Sequence, residues 1–232
     1  MNLFSTSYSS PSDGDSIRRL AGELLKQKSH VLYALSDEDY IKNCPSIFNA
    51  SIASHIRHSL NHFQSLLTAH HQNKSQQCSV VRVREDQSIS SRNNSNASSL
   101  AACTSSIVNY DERQRNTAIE TSRAAAITAV DDMMTVIPTL TLSLPVQMSF
   151  NGDVSTNFQP YNGSSNIARE LSIVTHHGVH HMAMIKLIMQ QLRYDLSGSN
   201  IGVAMSTIKH QRDTTHCQQQ LDNTKTGVAI AR

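Results

Sequence analysis

Apolar residues recur at helical spacing in four places along the chain. Ile17, Leu20, Leu24, Leu25, Val31 and Leu32 predict a first helix ending near Leu35, with Ser12, Asp13 and Asp15 as N-cap candidates. Ile52, Ile56, Leu60, Phe63 and Leu67 step by three and four, which places them on one face of a second helix, from Ser46 or Ser51 to His70. Ile119, Ala126, Ile127, Val130 and Met134 predict a third, from Asn109 or Asp111 to Val136, stopped by Pro138. A fourth spans Ser165 to Tyr194, with Gly198 and Gly202 marking the turn after it. Between the last two, LTLSLPVQMSF alternates loosely and predicts a short strand or extended crossover. It ends at the turn residues Asn151, Gly152 and Asp153. Four long amphipathic helices and little strand predict an all-α fold, a four-helix bundle.

The remaining segments are polar. Residues 1–15 are Ser-rich and read as a disordered tail, leaving 16–209 as the helical domain. The pattern collapses over 71–107, which reads as a low-complexity insertion between helices two and three, too polar to repay its ordering entropy. Residues 210–232 read as a polar C-terminal tail.

A formal charge of +2 gives no electrostatic case for nucleic acid. The small basic run of Arg82 and Arg84 near Lys74 has no aromatic interleaving. No signal-like segment opens the chain, and no apolar run approaches the ~18 residues of a membrane span. Cys44, Cys78, Cys103 and Cys217 lie far apart and read as free thiols in a reducing compartment. The expected setting is cytoplasmic, without a membrane partner.

Histidine is the anomaly. The chain holds 12 and no Trp, and most of them fall in two short windows, His55 to His71 and His176 to His181. On a helix, imidazoles at i and i+4 lie one above the other and can chelate one divalent ion. The window THHGVHH contains two such pairs, His176/His180 and His177/His181. At ~100° per residue, His177 and His181 fall beside Val174, Met184, Ile185, Ile188 and Leu192, on the apolar face. His176 and His180 fall to the side, as secondary or surface groups. Two histidines seldom complete a site, since three protein ligands with an open position is the usual catalytic arrangement. His55, His58 and His62 share one stripe of the second helix, flanking its apolar arc, and the wheel does not choose among them. Gly178 and Val179 fill the middle of the fourth-helix motif, so the protease pattern HExxH is absent.

Four segments together resemble one family. SIASHIRHSLNHF, NYDERQRNTAIE, ELSIVTHHGVHHMAMI and IGVAMSTIKH are similar, in order, to segments of the DinB-like (YfiT-like) metal-binding bundles. The resemblance spans residues 16–212 apart from the polar insertion, with Met205 where that branch usually carries Pro. It implies a four-helix bundle holding a divalent ion, Zn, Ni or Fe, on one second-helix histidine and the fourth-helix pair. Position by position these are His58, His177 and His181, with His55, His62, His176 and His180 as alternative ligands or outer groups. It also implies a metal-dependent hydrolase, or a transferase using a small thiol, with the ion activating a bound water or thiol. Tyr110, Arg113 and Arg115 would then line the mouth of the site, an arginine fork holding an anionic substrate group. For the arginines, ion pairing with Glu120 or Glu170 is the simpler expectation. A homodimer through an exposed helix face accompanies such bundles. The competing reading is a non-catalytic module in which the ion only cross-links two helices.

Overall fold

The computed structural model describes residues 13–47, 49–86, 106–112, 114–151, 160–197, 199–204 and 207–215. Within helix 52–86, side chains are described up to residue 75. The elements in chain order are α1 (Asp13–Ala34), α2 (Asp37–Ile41), α3 (Ile52–Asp86), β1 (Ile107–Asn109), α4 (Ala118–Thr121), α5 (Arg123–Val136), β2 (Pro145–Phe150), β3 (Tyr161–Asn166) and α6 (Ile167–Gln191). A further helical segment covers 207–215.

The protein is mostly helical. Leu24, Leu25, Val31 and Leu32 of α1 are buried with Ile52, Ile56, Leu60 and Phe63 of α3. Ala126 and Val130 of α5 and Leu171, Val174, Met182, Ile185 and Ile188 of α6 join the same core. Helix α6 packs on both α3 and α1, while α5 packs on α1 and α3. Local chemistry sets the helix starts. Ser51 and Ser54 cap α3 reciprocally: Ser51 Oγ accepts from Ser54 N at 3.1 Å, and Ser54 Oγ accepts from Ser51 N at 3.2 Å. Asn166 accepts from Arg169 N at 2.9 Å and starts α6.

The all-α expectation needs correction, because a three-stranded sheet is present in the order β1-β2-β3. Strands β1 and β2 are parallel, with Ile107 opposite Gln147, and β2 and β3 are antiparallel, with Pro145 opposite Asn166. The predicted crossover is thus β2. Its partner β1 lies where the third helix was expected to begin. The β-branched pair Ile107 and Val108 suits a ladder, and Val108 and Val146 are buried at the centre of it. Asn116, at φ 57°, then interrupts the chain before α4, and Ser122 caps α5 by accepting from Ala125 N at 3.2 Å. Helix α5 therefore begins at Arg123, and Pro138 falls in the 3-10 turn that follows it. In the other direction, α3 runs past His70 to Asp86, into the polar stretch expected to be irregular. The turn residues Gly152 and Asp153, and Gly198, lie outside the described residues. Among the described residues no helix is long and apolar enough to cross a membrane. Cys44 is a buried free thiol, and the side chains of the other three cysteines lie outside the described set.

Candidate metal centre

Helices α3 and α6 meet along a seam lined with imidazoles. Gly178 permits the close approach, since a Cβ there would stand 2.4 Å from Leu24 Cδ2 on α1 and 3.3 Å from Ser59 Oγ on α3. On either side of Gly178, His177 and His181 face His58. The Nε2 atoms of His177 and His58 are 3.3 Å apart, and those of His181 and His177 are 3.0 Å apart. One ligand nitrogen from each of the three falls within 4.8 Å of the others. Zinc–imidazole bonds of about 2.0–2.1 Å in tetrahedral array put ligand nitrogens about 3.3 Å from one another. Two of the three separations match that value, so the three donors could hold one divalent ion.

The remaining histidines divide in two. His55 is buried, and its Nδ1 lies 3.0 Å from His181 Nδ1, on the ring edge opposite the triad. A group at that position fixes the orientation of a ligating imidazole. His62 packs on His177 with ring centres 4.3 Å apart, and on His58 at 4.8 Å. His176 and His180 are exposed, and the His180 ring lies 5.5 Å from that of His181 and 6.4 Å from that of His177.

Burial favours the neutral form of three of these imidazoles. His181 is pushed down to about 2, first by loss of solvation and then by His177, His58, His55 and Lys28. His55 and His177 are lowered for the same first reason. Neutral imidazole is the ligating form, so a proton need not be displaced first.

Two charged groups beside the seam are buried, Lys28 unforeseen in the sequence and Glu170 named there only as an ion-pair partner. Lys28 is fully buried on α1, and its Nζ has no hydrogen-bond partner among the described residues. Loss of solvation lowers it to about 7, and its charge bears on His55, His177 and His181. The signal was available, because Lys28 occupies the gap between Leu24/Leu25 and Val31/Leu32 on the apolar stripe of α1. Glu170 is the other. Its carboxylate accepts from Tyr110 Oη at 2.6 Å and from Ser165 Oγ, and pairs with Arg169 at 2.8 Å.

Of the residues expected at the mouth of the site, Tyr110 lies beside the histidine cluster. Tyr110 stacks on His62 with ring centres 5.0 Å apart and 20° between planes, but its hydroxyl is spent on Glu170. Burial and that carboxylate both raise the phenol pKa. Arg115 is exposed, and Arg113 lies outside the described residues. Glu120 pairs with Arg57 at 3.1 Å and Glu170 with Arg169 at 2.8 Å. A polar groove of about 410 Å³ runs along α3 past Asn61, Ser65, Asn109 and Gln114, but none of the histidines lines it.

No protein-family model matches the chain, and no solved structure matches it. Among curated proteins it is similar to FK506-binding protein 5 of Rhizopus delemar (strain RA 99-880), at 34% identity over 107 residues. That stretch is 45% of this chain and 27% of the Rhizopus protein, so the chain spans about a quarter of the length of the relative it matches.

Proposed function

We propose that this chain is a divalent-metal-binding protein whose ion is held by His58, His177 and His181. The observation that carries the reading is the convergence of three imidazoles, from two helices, with one ligand atom of each within 4.8 Å of the others. The packing of α1, α3, α5 and α6 around one core supports the finer reading as a four-helix bundle of the DinB-like type, with the small sheet as an addition.

Bound there, the ion would supply Lewis-acid chemistry on whichever side the protein leaves open. On the DinB-like reading the activity is hydrolysis or transfer with a small thiol. His55 would hold the His181 ring, and Lys28 would offer a buried cation beside the site. A second reading, a structural ion, is favoured by one feature: His62 packs so closely on His177 and His58 that it can close the coordination shell.

Metal content of the untagged protein tests the first step. Near-stoichiometric Zn, Ni or Fe in the wild type, lost in His58→Ala and His177→Ala, is expected. Wild-type protein that carries no metal and takes none up sinks the proposal. Cobalt substitution then separates the two readings. A visible spectrum that shifts on adding a small thiol marks an open position, and one that does not respond marks a closed structural shell.

A further inference from the structure

Residues 140–144 connect the 3-10 turn after α5 to β2, and two helices hold one peptide group of this connection from its two sides. The carbonyl of that group, Leu140 O, accepts from Arg18 of α1 at 2.8 Å. Its N–H, that of Thr141, donates to Nε2 of His70 on α3 at 3.0 Å. One turn on from His70, Asn73 Nδ2 donates to Pro145 O at 2.6 Å. His70 and Asn73 are both buried. The connection supports α6 in turn, because Leu144 O and Leu142 O accept from the N–H groups of Ile167 and Ala168 at 3.0 and 2.9 Å. Those donors belong to the first turn of the helix and have no acceptor inside it.

An imidazole nitrogen that accepts a hydrogen bond must carry its lone pair. The Thr141 contact therefore fixes the neutral ring with its proton on Nδ1, and Nδ1 has no partner among the described residues. A second proton can go only to Nε2, where it meets the Thr141 N–H and ends the bond. The charges around His70 oppose that proton. His71 and Lys74 on α3 bear on the ring as cations, and Arg18 reaches the same peptide group from α1. Residues 140–150 carry no titratable side chain. Carboxylates on the surrounding elements are engaged or exposed: Asp15 pairs with Arg18, Glu170 pairs with Arg169, and Asp131 and Asp132 of α5 are exposed. Burial, then Lys74 and His71, hold the imidazole below its ordinary 6.5.

We propose that His70 is an acid-sensitive latch: its neutral ring holds the 140–144 connection on α3, and its protonation releases that connection and the start of α6. A released ring takes up its proton near the ordinary 6.5, and a latched ring only at lower pH. Latching is therefore at full strength above about 6.5 and weakens as pH falls below it. His70 lies roughly 18 Å along α3 from His58, so the latch and the triad can fail separately.

Residue-resolved hydrogen exchange on the full chain tests this, with the intrinsic pH dependence of exchange divided out. Protection of the Thr141 amide is expected to fall about 5–10-fold between pH 7.5 and 5.5. His70→Gln, which offers an acceptor that does not titrate, should keep protection level with pH. His181→Phe, which removes a triad imidazole, should leave the fall in place. Ring-nitrogen NMR shifts of the wild type give a second readout that needs no variant. Nε2 should be unprotonated at pH 7.5 and gain its proton with a midpoint below 6.5, with the Thr141 amide shifting at the same midpoint. Wild-type protection that does not change with pH overturns the proposal, as does an equal fall in His70→Gln. So does an Nε2 that already carries the proton at pH 7.5.

Discussion

Tyr110 donates its hydroxyl hydrogen to the fully buried carboxylate of Glu170 across 2.6 Å, while its ring stacks on His62. The sheet makes this contact. Strand β1 delivers Tyr110, and β3 runs directly into α6, which carries Glu170. Tyr110 therefore supports the histidine cluster from behind. Tyr110→Phe should keep the stack and lose the donor, leaving Glu170 with Ser165 and Arg169 alone. The expected cost is about 1–2 kcal/mol in urea unfolding, with metal stoichiometry unchanged. A neutral result would show that water satisfies the carboxylate equally well.

Lys28 costs stability where it sits. An unpartnered ammonium has lost its hydration, and its pKa falls from 10.5 to about 7. The unfolded chain holds this proton up to about 10.5, so between about 7 and 10.5 it binds more protons than the native state. Stability should therefore rise with pH across that window, by up to about 1.4 kcal/mol per unit. Lys28→Met should flatten that slope and raise stability at pH 7 by roughly 1–4 kcal/mol. Chemical unfolding of both proteins at several pH values checks it. A lower stability for Lys28→Met would mean that the amine has a partner in solution.

The histidines act on the acid side. His55, His177 and His181 all have folded pKa values below the ordinary 6.5. A lowered imidazole costs nothing while both states are neutral, and loses stability as pH drops below the unfolded value. The metal-free protein should thus weaken progressively below about pH 6.5, and His181→Phe should weaken less steeply. Thermal melts at pH 7, 6 and 5 in EDTA give the comparison, and parallel pH profiles for the two proteins would argue against it.

Gly202 adopts φ +67°, and a Cβ there would lie 2.5 Å from the backbone of Ala183. Neither the conformation nor the space admits a side chain. Gly202→Ala should cost about 1–3 kcal/mol, seen as a lower Tm, while the triad keeps its metal. An unchanged Tm would mean that segment 199–204 packs more loosely on α6 than the contact implies.

The spacing of apolar residues determined α1, the core of α3 and α6, because a helix repeats locally and its buried stripe is visible in one segment at a time. It also placed His177 and His181 on the inner flank of α6 and His176 and His180 on the outer. What it did not determine was anything that depends on two segments meeting. Strand β1 has three residues and is stable only as a partner of β2, so its own sequence reads equally well as the start of a helix. The wheel of α3 left His55, His58 and His62 equivalent, and only the crossing of α3 and α6 at Gly178 brings His58 to the Nε2 atom of His177. In the sequence Lys28 only interrupts an apolar stripe, and Glu170 is an ordinary charged residue. Their burial, and with it their effect on the seam, exists only once α1, α6 and the sheet have closed around them.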